Sequence, residues 1–299
     1  MIKSAETMKV YASTTFLGNR PTELAEALAV LGDIDLDGVE LGSTHRWQPD
    51  ITEQLATHWS KPRLTHNYFP PAKVDMVLNI ASADADIRDR SIRHMKHCLN
   101  VAGDIGADLY TIHPGFLAEP VGPSSDPGSR AFDFKFRSDS TPYDRAFELM
   151  IDALKDLLET AADHGMRLAI ETEGSLTSAG VTLMEQPAEY DRLFEIIPQG
   201  LYINLNLAHT SLAAKGHGFD MAAFVSDMRN RIAAVEISHN DGHGDQHMPL
   251  EPGSPVLDWL PLLPDVPLIL EFRSADADDI RRSASILRDS VSTTKATGQ

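Results

Sequence analysis

Residues 201–241 read LYINLNLAHTSLAAKGHGFDMAAFVSDMRNRIAAVEISHND. Leu201–Leu207 is short and rich in aliphatic residues, which predicts a strand; Phe219–Asn230 predicts a helix, and Ile232–Ser238 a second strand. Each strand run ends in polar residues: NLAH supplies Asn206 and His209, and SHND supplies His239 and Asp241. A strand, a helix and another strand in sequence argue for a parallel pair.

The same unit recurs in both directions. Upstream strands are expected at Met8–Phe16, Gly38–Ser43, Arg63–Phe69, Asp108–His113 and Arg167–Glu171, and a last one at Pro267–Phe272. Helices are expected at Pro21–Leu31, Ile51–Trp59, Asp84–Gly106, Pro142–His164, Pro187–Ile196 and Asp276–Asp289, with a short helical piece at Val256–Leu263. Eight such units in 299 residues predict an α/β chain folded as a single-domain (β/α)8 TIM barrel, residues 1–299. The alternative, an open doubly wound sheet, lacks its commonest mark, because no Gly-x-Gly-x-x-Gly follows the first strand. Residues 116–141 are rich in Pro, Gly and Ser and form a candidate lid, with Phe132, Phe134, Lys135, Phe136 and Arg137 able to cover the mouth or hold an anionic group. The tail from 290 to 299 is expected to fray.

Bulk properties narrow the function. A formal charge of −18 opposes binding to nucleic-acid phosphate or an anionic membrane. No run approaches 18 apolar residues and no apolar leader is visible, so no membrane span is expected and the cytoplasm is the default. The only cysteine, Cys98, excludes an intrachain disulfide. A small-molecule substrate fits this surface best.

In a parallel barrel every strand's C-terminal end opens on one face. Glu40, His66, His113, Glu171, Asn206 with His209, His239 with Asp241, and Glu271 then converge there, and the loop after His239 adds Asp245 and His247. Glu171 follows LAI and Glu271 follows LIL, so each carboxylate ends a buried run and needs a partner or an ion. Imidazole and carboxylate together suit Zn, Mn, Fe or Co better than Ca.

At these residues the chain resembles the sugar phosphate isomerase/epimerase family, the xylose-isomerase-like barrels that also include the apurinic endonucleases. The stretch HNDGHGDQHMPLEPGSPVLDW, His239–Trp259, is similar to the family's loop of His-x-x-Asp, Asp-x-His, Gly and Asp-Trp. LTHNYFPP at 64–71 resembles a substrate-side strand of the group. The resemblance implies one divalent ion, Mn, Mg, Co or Zn, held by Glu171, Asn206, His239 and Glu271, with Glu171 and Glu271 moving the proton through an enediolate. It implies substrate contacts at Glu40, His66, His113, His209, Asp245 and His247, on a sugar, sugar acid or sugar phosphate. In the endonuclease branch three zinc ions would map to His66, His113, Glu171, Asn206, His209, His239, Asp245, His247 and Glu271. The family usually has Asp where this chain has Asn206. A dehydratase or lyase using the same enediolate, a three-zinc DNA-repair enzyme, and a non-catalytic sugar-binding or partner-dependent subunit are the alternatives. A homo-oligomer is compatible with such a barrel, although no single stretch marks an interface.

Overall fold

The computed structural model describes residues 8–17, 22–42, 44–67, 69–74, 76–123, 132–134, 140–174 and 181–297. Eight strands close in the order β1 (Val10–Ser13), β10 (Leu268–Leu270), β9 (Ile232–Ile237), β8 (Leu201–Asn206), β7 (Arg167–Glu171), β4 (Leu109–Ile112), β3 (Arg63–His66) and β2 (Gly38–Leu41). Every neighbouring pair is parallel, from Tyr11↔Ile269 on one side to Ser13↔Glu40 on the other. The expected barrel is present. An unforeseen antiparallel hairpin of β5 (Pro120–Pro123) and β6 (Phe132–Phe134) stands apart, within the lid candidate. Lys135, Phe136 and Arg137 lie outside the described residues.

The helices wrap this barrel because one stripe of each is apolar. α3 (Ala85–Asp104) starts where the Asp84 side chain accepts from the amides of Asp86 and Ile87, and it buries Met95, Cys98, Leu99 and Ala102. α4 (Tyr143–Asp163) buries Phe147, Met150, Leu154, Leu157 and Ala161 at the same spacing. Fully burying one such leucine stabilises the fold by about 1.5–3 kcal/mol. α1 (Leu24–Gly32), α2 (Ile51–His58), α5 (Pro187–Ile196), α7 (Met221–Met228) and α8 (Ala277–Thr297) complete the shell. Helix α8 continues to Thr297, past the expected end at Asp289, so the tail is helical through that residue. No described helix is long and apolar enough to cross a membrane.

One helix has no counterpart among the expected elements. α6 (Leu207–His217) begins directly after β8, with no loop between them. Asn206 is at once the last residue of the strand and the N-cap of the helix, its side chain accepting from the His209 amide. Inside the barrel, Tyr11, Leu64, Leu109, Ala169, Ala233, Ala234 and Ile269 form an apolar floor. Polar residues lie above it, towards the C-terminal strand ends.

Candidate active site

Strand alternation builds the site. Ala169 lies in the floor, so Glu171 two residues on faces inward at the rim. Tyr202 packs on the same floor, and Asn204 and Asn206 follow it inward on β8. Ile269 sends Glu271 inward past the end of β10, and Leu64 sends His66 inward on β3. Glu40, Glu171, Asn206 and Glu271 are buried, with Glu271 the most open at 9% exposure.

Asn206 is the hub. Its Nδ2 lies 3.0 Å from Glu171 Oε1, 3.0 Å from Glu236 Oε2 and 3.3 Å from Glu271 Oε2. Its Oδ1 accepts from the His209 backbone N–H at 3.2 Å. This fixes which end of the amide faces which way. A backbone N–H can only donate, so the oxygen must face the helix and the NH2 must face the acids. The amide therefore offers the carboxylates a donor, not an oxygen ligand.

Glu236 was not foreseen, and its place explains where His239 goes. Between β8 and β9 the register runs Ile203↔Ile232 and then Asn204↔Ala234, so Ala233 is an extra residue. Such a bulge reverses the facing of everything after it. Without it, alternation would carry His239 inward with Asn206. With it, Asn206 pairs Glu236, and Glu236 and Ser238 take the inward positions. Counting back three from Asp241 also reaches Ser238 rather than His239. The His239 ring makes no hydrogen bond or ion pair among the described residues, and its buried Nδ1 has no partner. His239 is not brought into the cluster of Glu171, Asn206 and Glu271. Glu236 is fully buried, and its Oε1 accepts from Asn204 Nδ2 at 2.6 Å.

Four histidines ring these acids. His66 Nε2 donates to Glu171 Oε2 at 2.9 Å, while its Nδ1 lies 3.6 Å from Glu40 and 3.9 Å from both Glu236 and Glu271. His113 Nδ1 donates to Glu173 Oε1 at 2.6 Å and lies 3.4 Å from Glu171. Glu173 is a further acid that was not foreseen, although period-two alternation from Glu171 would have found it. His209 Nδ1 donates to the Thr172 carbonyl at 3.0 Å and is 3.3 Å from Glu171; its Nε2 is 3.3 Å from Asp245. His247 bridges Asp245 at 2.9 Å and Glu271 at 3.2 Å.

Proton affinities follow from this packing. Burial disfavours the His66 imidazolium, but Glu40, Glu171 and Glu271 outweigh it and push its pKa up to about 10. The same balance raises His247 to about 9, with Glu271 and Asp245 as the acids, and lifts His113 and His209 above the ordinary imidazole range. Burial opposes the Glu171 charge, yet His113, His209 and His66 hold it well below the usual carboxylate range. Burial likewise opposes Glu271, and His247 more than offsets it. Glu40 and Glu236 go the other way: burial raises Glu40 to about 7, and burial with Glu171, Glu271 and Glu40 nearby raises Glu236 well above its ordinary value.

Four ligand groups have their donor atoms within 4.8 Å of one another: His66–His113–Glu171, His209–Asp245–His247, Glu40–His66–Glu236 and Glu171–Glu236–Glu271. The donor chemistry suits a divalent ion. Glu171 and Glu271 fit the expected ion, whereas Asn206 turns its nitrogen to it and His239 stands outside.

The fold has close counterparts. A D-tagatose 3-epimerase-like protein superposes with a TM-score of 0.74 at 18% identity, covering 98% of this chain and 100% of its own. An L-ribulose 3-epimerase gives 0.68 at 12% identity, covering 97% of each chain. A Thermus thermophilus protein soaked with ZnCl2 gives 0.67 at 20% identity, covering 96% of this chain and 99% of its own. In sequence, an uncharacterized protein of Methanocaldococcus jannaschii is 25% identical over 243 residues, 81% of each chain. Residues 28–289 match the family described as Xylose isomerase-like TIM barrel, and the chain belongs to that family.

Proposed function

We propose that this protein is an isomerase or epimerase that moves a proton at the carbon beside a carbonyl of a sugar, sugar acid or sugar phosphate. One observation carries the reading. Glu171 and Glu271 come from strands separated by two others, yet their carboxylates lie 3.0 and 3.3 Å from one amide nitrogen. Two carboxylates flanking one point can take a proton from one face of a small substrate and return it to the other. The epimerase neighbours and the family are consistent with this chemistry.

The chain's own residues supply the rest. His113 and His209, donors at the rim, hold substrate hydroxyls. Asp245 is tied to Arg273 at 3.0 Å and to His247, so it braces the loop that carries both. A divalent ion held at Glu171 and Glu271 would supply Lewis-acid polarisation of the carbonyl when bound. The test is deuterium exchange from solvent into a panel of keto-sugars, keto-acids and their phosphates, with Mn, Mg, Co or Zn added in turn. Exchange at one carbon supports the reading; no exchange across the whole panel refutes it. Elimination, in which the β-hydroxyl leaves as water, would appear in the same spectra as loss of the signal of the neighbouring oxygen-bearing carbon.

A second reading draws on the two histidine-bearing triads, His66–His113–Glu171 and His209–Asp245–His247, which could hold several zinc ions for phosphoester hydrolysis. The charge of −18 counts against a duplex substrate. Cleavage of an abasic duplex by the zinc-loaded protein would favour this reading, and its absence would disfavour it.

A further inference from the structure

The geometry points to Glu171, Glu236 and Glu271 as the set that holds the ion at the barrel centre, with Glu40 beside Glu236, and to a hard divalent cation of the Mg2+/Mn2+ class as its occupant. This inference rests on the ion proposed at Glu171 and Glu271, and it names the donor that β9 contributes.

The bulge at Ala233 puts Glu236, not His239, on the inner face between Asn206 and Ile269. One oxygen from each of Glu171, Glu236 and Glu271 lies within 4.8 Å of the others, and all three residues are buried. Asn206 is a positioning residue for this set. Its oxygen is committed to the α6 amide, and its two N–H groups draw the three acids to one point.

Glu40 gives an independent sign that a cation belongs here. It is fully buried, and neither carboxylate oxygen makes a well-aligned hydrogen bond, the Ser13 hydroxyl and the His66 ring being its polar neighbours. It shares the ligand group of His66 and Glu236. Glu171 and Glu271 have imidazoles of their own in His113, His209 and His247. Glu40 and Glu236 share only His66, at 3.6 and 3.9 Å, and that ring bonds to Glu171 instead. Two buried acids without a dedicated cation are costly to ionise unless an ion arrives. The set is all oxygen, which favours hard ions; zinc is better served by the flanking groups that contain two imidazoles.

The test counts Mn2+ bound to EDTA-stripped protein, by electron paramagnetic resonance of the free ion. Glu236→Gln should lose one bound Mn2+ per chain or weaken it about tenfold or more. Glu40→Gln should weaken the same ion, and His239→Gln should leave it at the wild-type affinity. Circular dichroism confirms the fold of each variant, and if Glu236→Gln does not fold, the other two decide. The inference is overturned if folded wild type binds no Mn2+, if Glu236→Gln or Glu40→Gln binds like wild type, or if His239→Gln loses the ion. Binding is read without substrate, so a failure here leaves the isomerase reading standing, and a failed exchange assay leaves this one.

Discussion

Replacing Asn206 with Asp tests the amide hub most directly. Asp caps a helix as well as Asn does, so the bond from the His209 amide survives. What is lost is the donor facing Glu171, Glu236 and Glu271. The amide has two N–H groups to share among three acids, and a hydrogen bond to a charged group contributes about 1.5–3 kcal/mol. The loss is therefore about 3–6 kcal/mol, a large share of the roughly 5–15 kcal/mol that separates folded from unfolded protein. At about 2 °C per kcal/mol for a chain of this size, Tm in EDTA should fall by roughly 6–12 °C. Adding Mn2+ should raise the Tm of Asn206→Asp by more than it raises wild type, because the new carboxylate gives the ion a further ligand. Differential scanning calorimetry with and without Mn2+ reads both effects. A variant whose Tm in EDTA stays within about 2 °C of wild type would refute the reasoning, since that is the shift expected from only about 1 kcal/mol.

Glu171→Gln should abolish solvent exchange and weaken metal binding, as isotope incorporation and Mn2+ titration would show; full exchange in that variant would remove Glu171 from the mechanism. Stability of the metal-free protein should fall from pH 7 to pH 9. His66 and His247 have folded pKa values of about 10 and 9, above the unfolded value of about 6.5, so their contribution is complete below pH 6.5 and is lost as the pH climbs through the folded values. Raised Glu40 acts only between its ordinary value and about 7, outside that window. A Tm that is flat or rising from pH 7 to 9 would contradict the His66 and His247 assignments. Gly174→Ala should lower Tm and disturb the rim together, because a Cβ at Gly174 would meet the His209 carbonyl oxygen at 1.8 Å, where backbone has no room to give. Overpacking of this kind costs about 1–3 kcal/mol, and unchanged Tm and exchange rate would show that α6 can retreat.

The barrel was legible because its repeat is coarse. Eight apolar runs, each followed by a helical stripe, survive errors of several residues at every boundary. The strand-end acids Glu171 and Glu271 were legible for the same reason, since each ends an unbroken buried run. Helix α6 was not, because Leu207, Ala208, His209, Thr210, Leu212 and Ala213 are all buried and leave no polar face to mark a 3.6-residue period. The β5–β6 hairpin lies in a segment of Pro and Gly that shows no alternation. The inner donor on β9 was hidden for a finer reason. Facing depends on a count modulo two, and one bulged residue reverses it. Nothing in AAVEISHND tells which alanine is extra; the ladder with β8 decides that.

That bulge means β9 carries two alternative metal chemistries on one ribbon. Glu236 and Ser238 occupy its inner edge, while a different alternation would present Ile237 and His239. Pairing Ala233 with Asn204, so that the ladder ran on with no bulge, would exchange an oxygen donor for a nitrogen donor at the heart of the barrel without altering any ligand. Within such a scaffold, the preference for a hard or a borderline ion can change by a one-residue slip of the ladder, and a lineage can cross between the two with every donor residue still encoded.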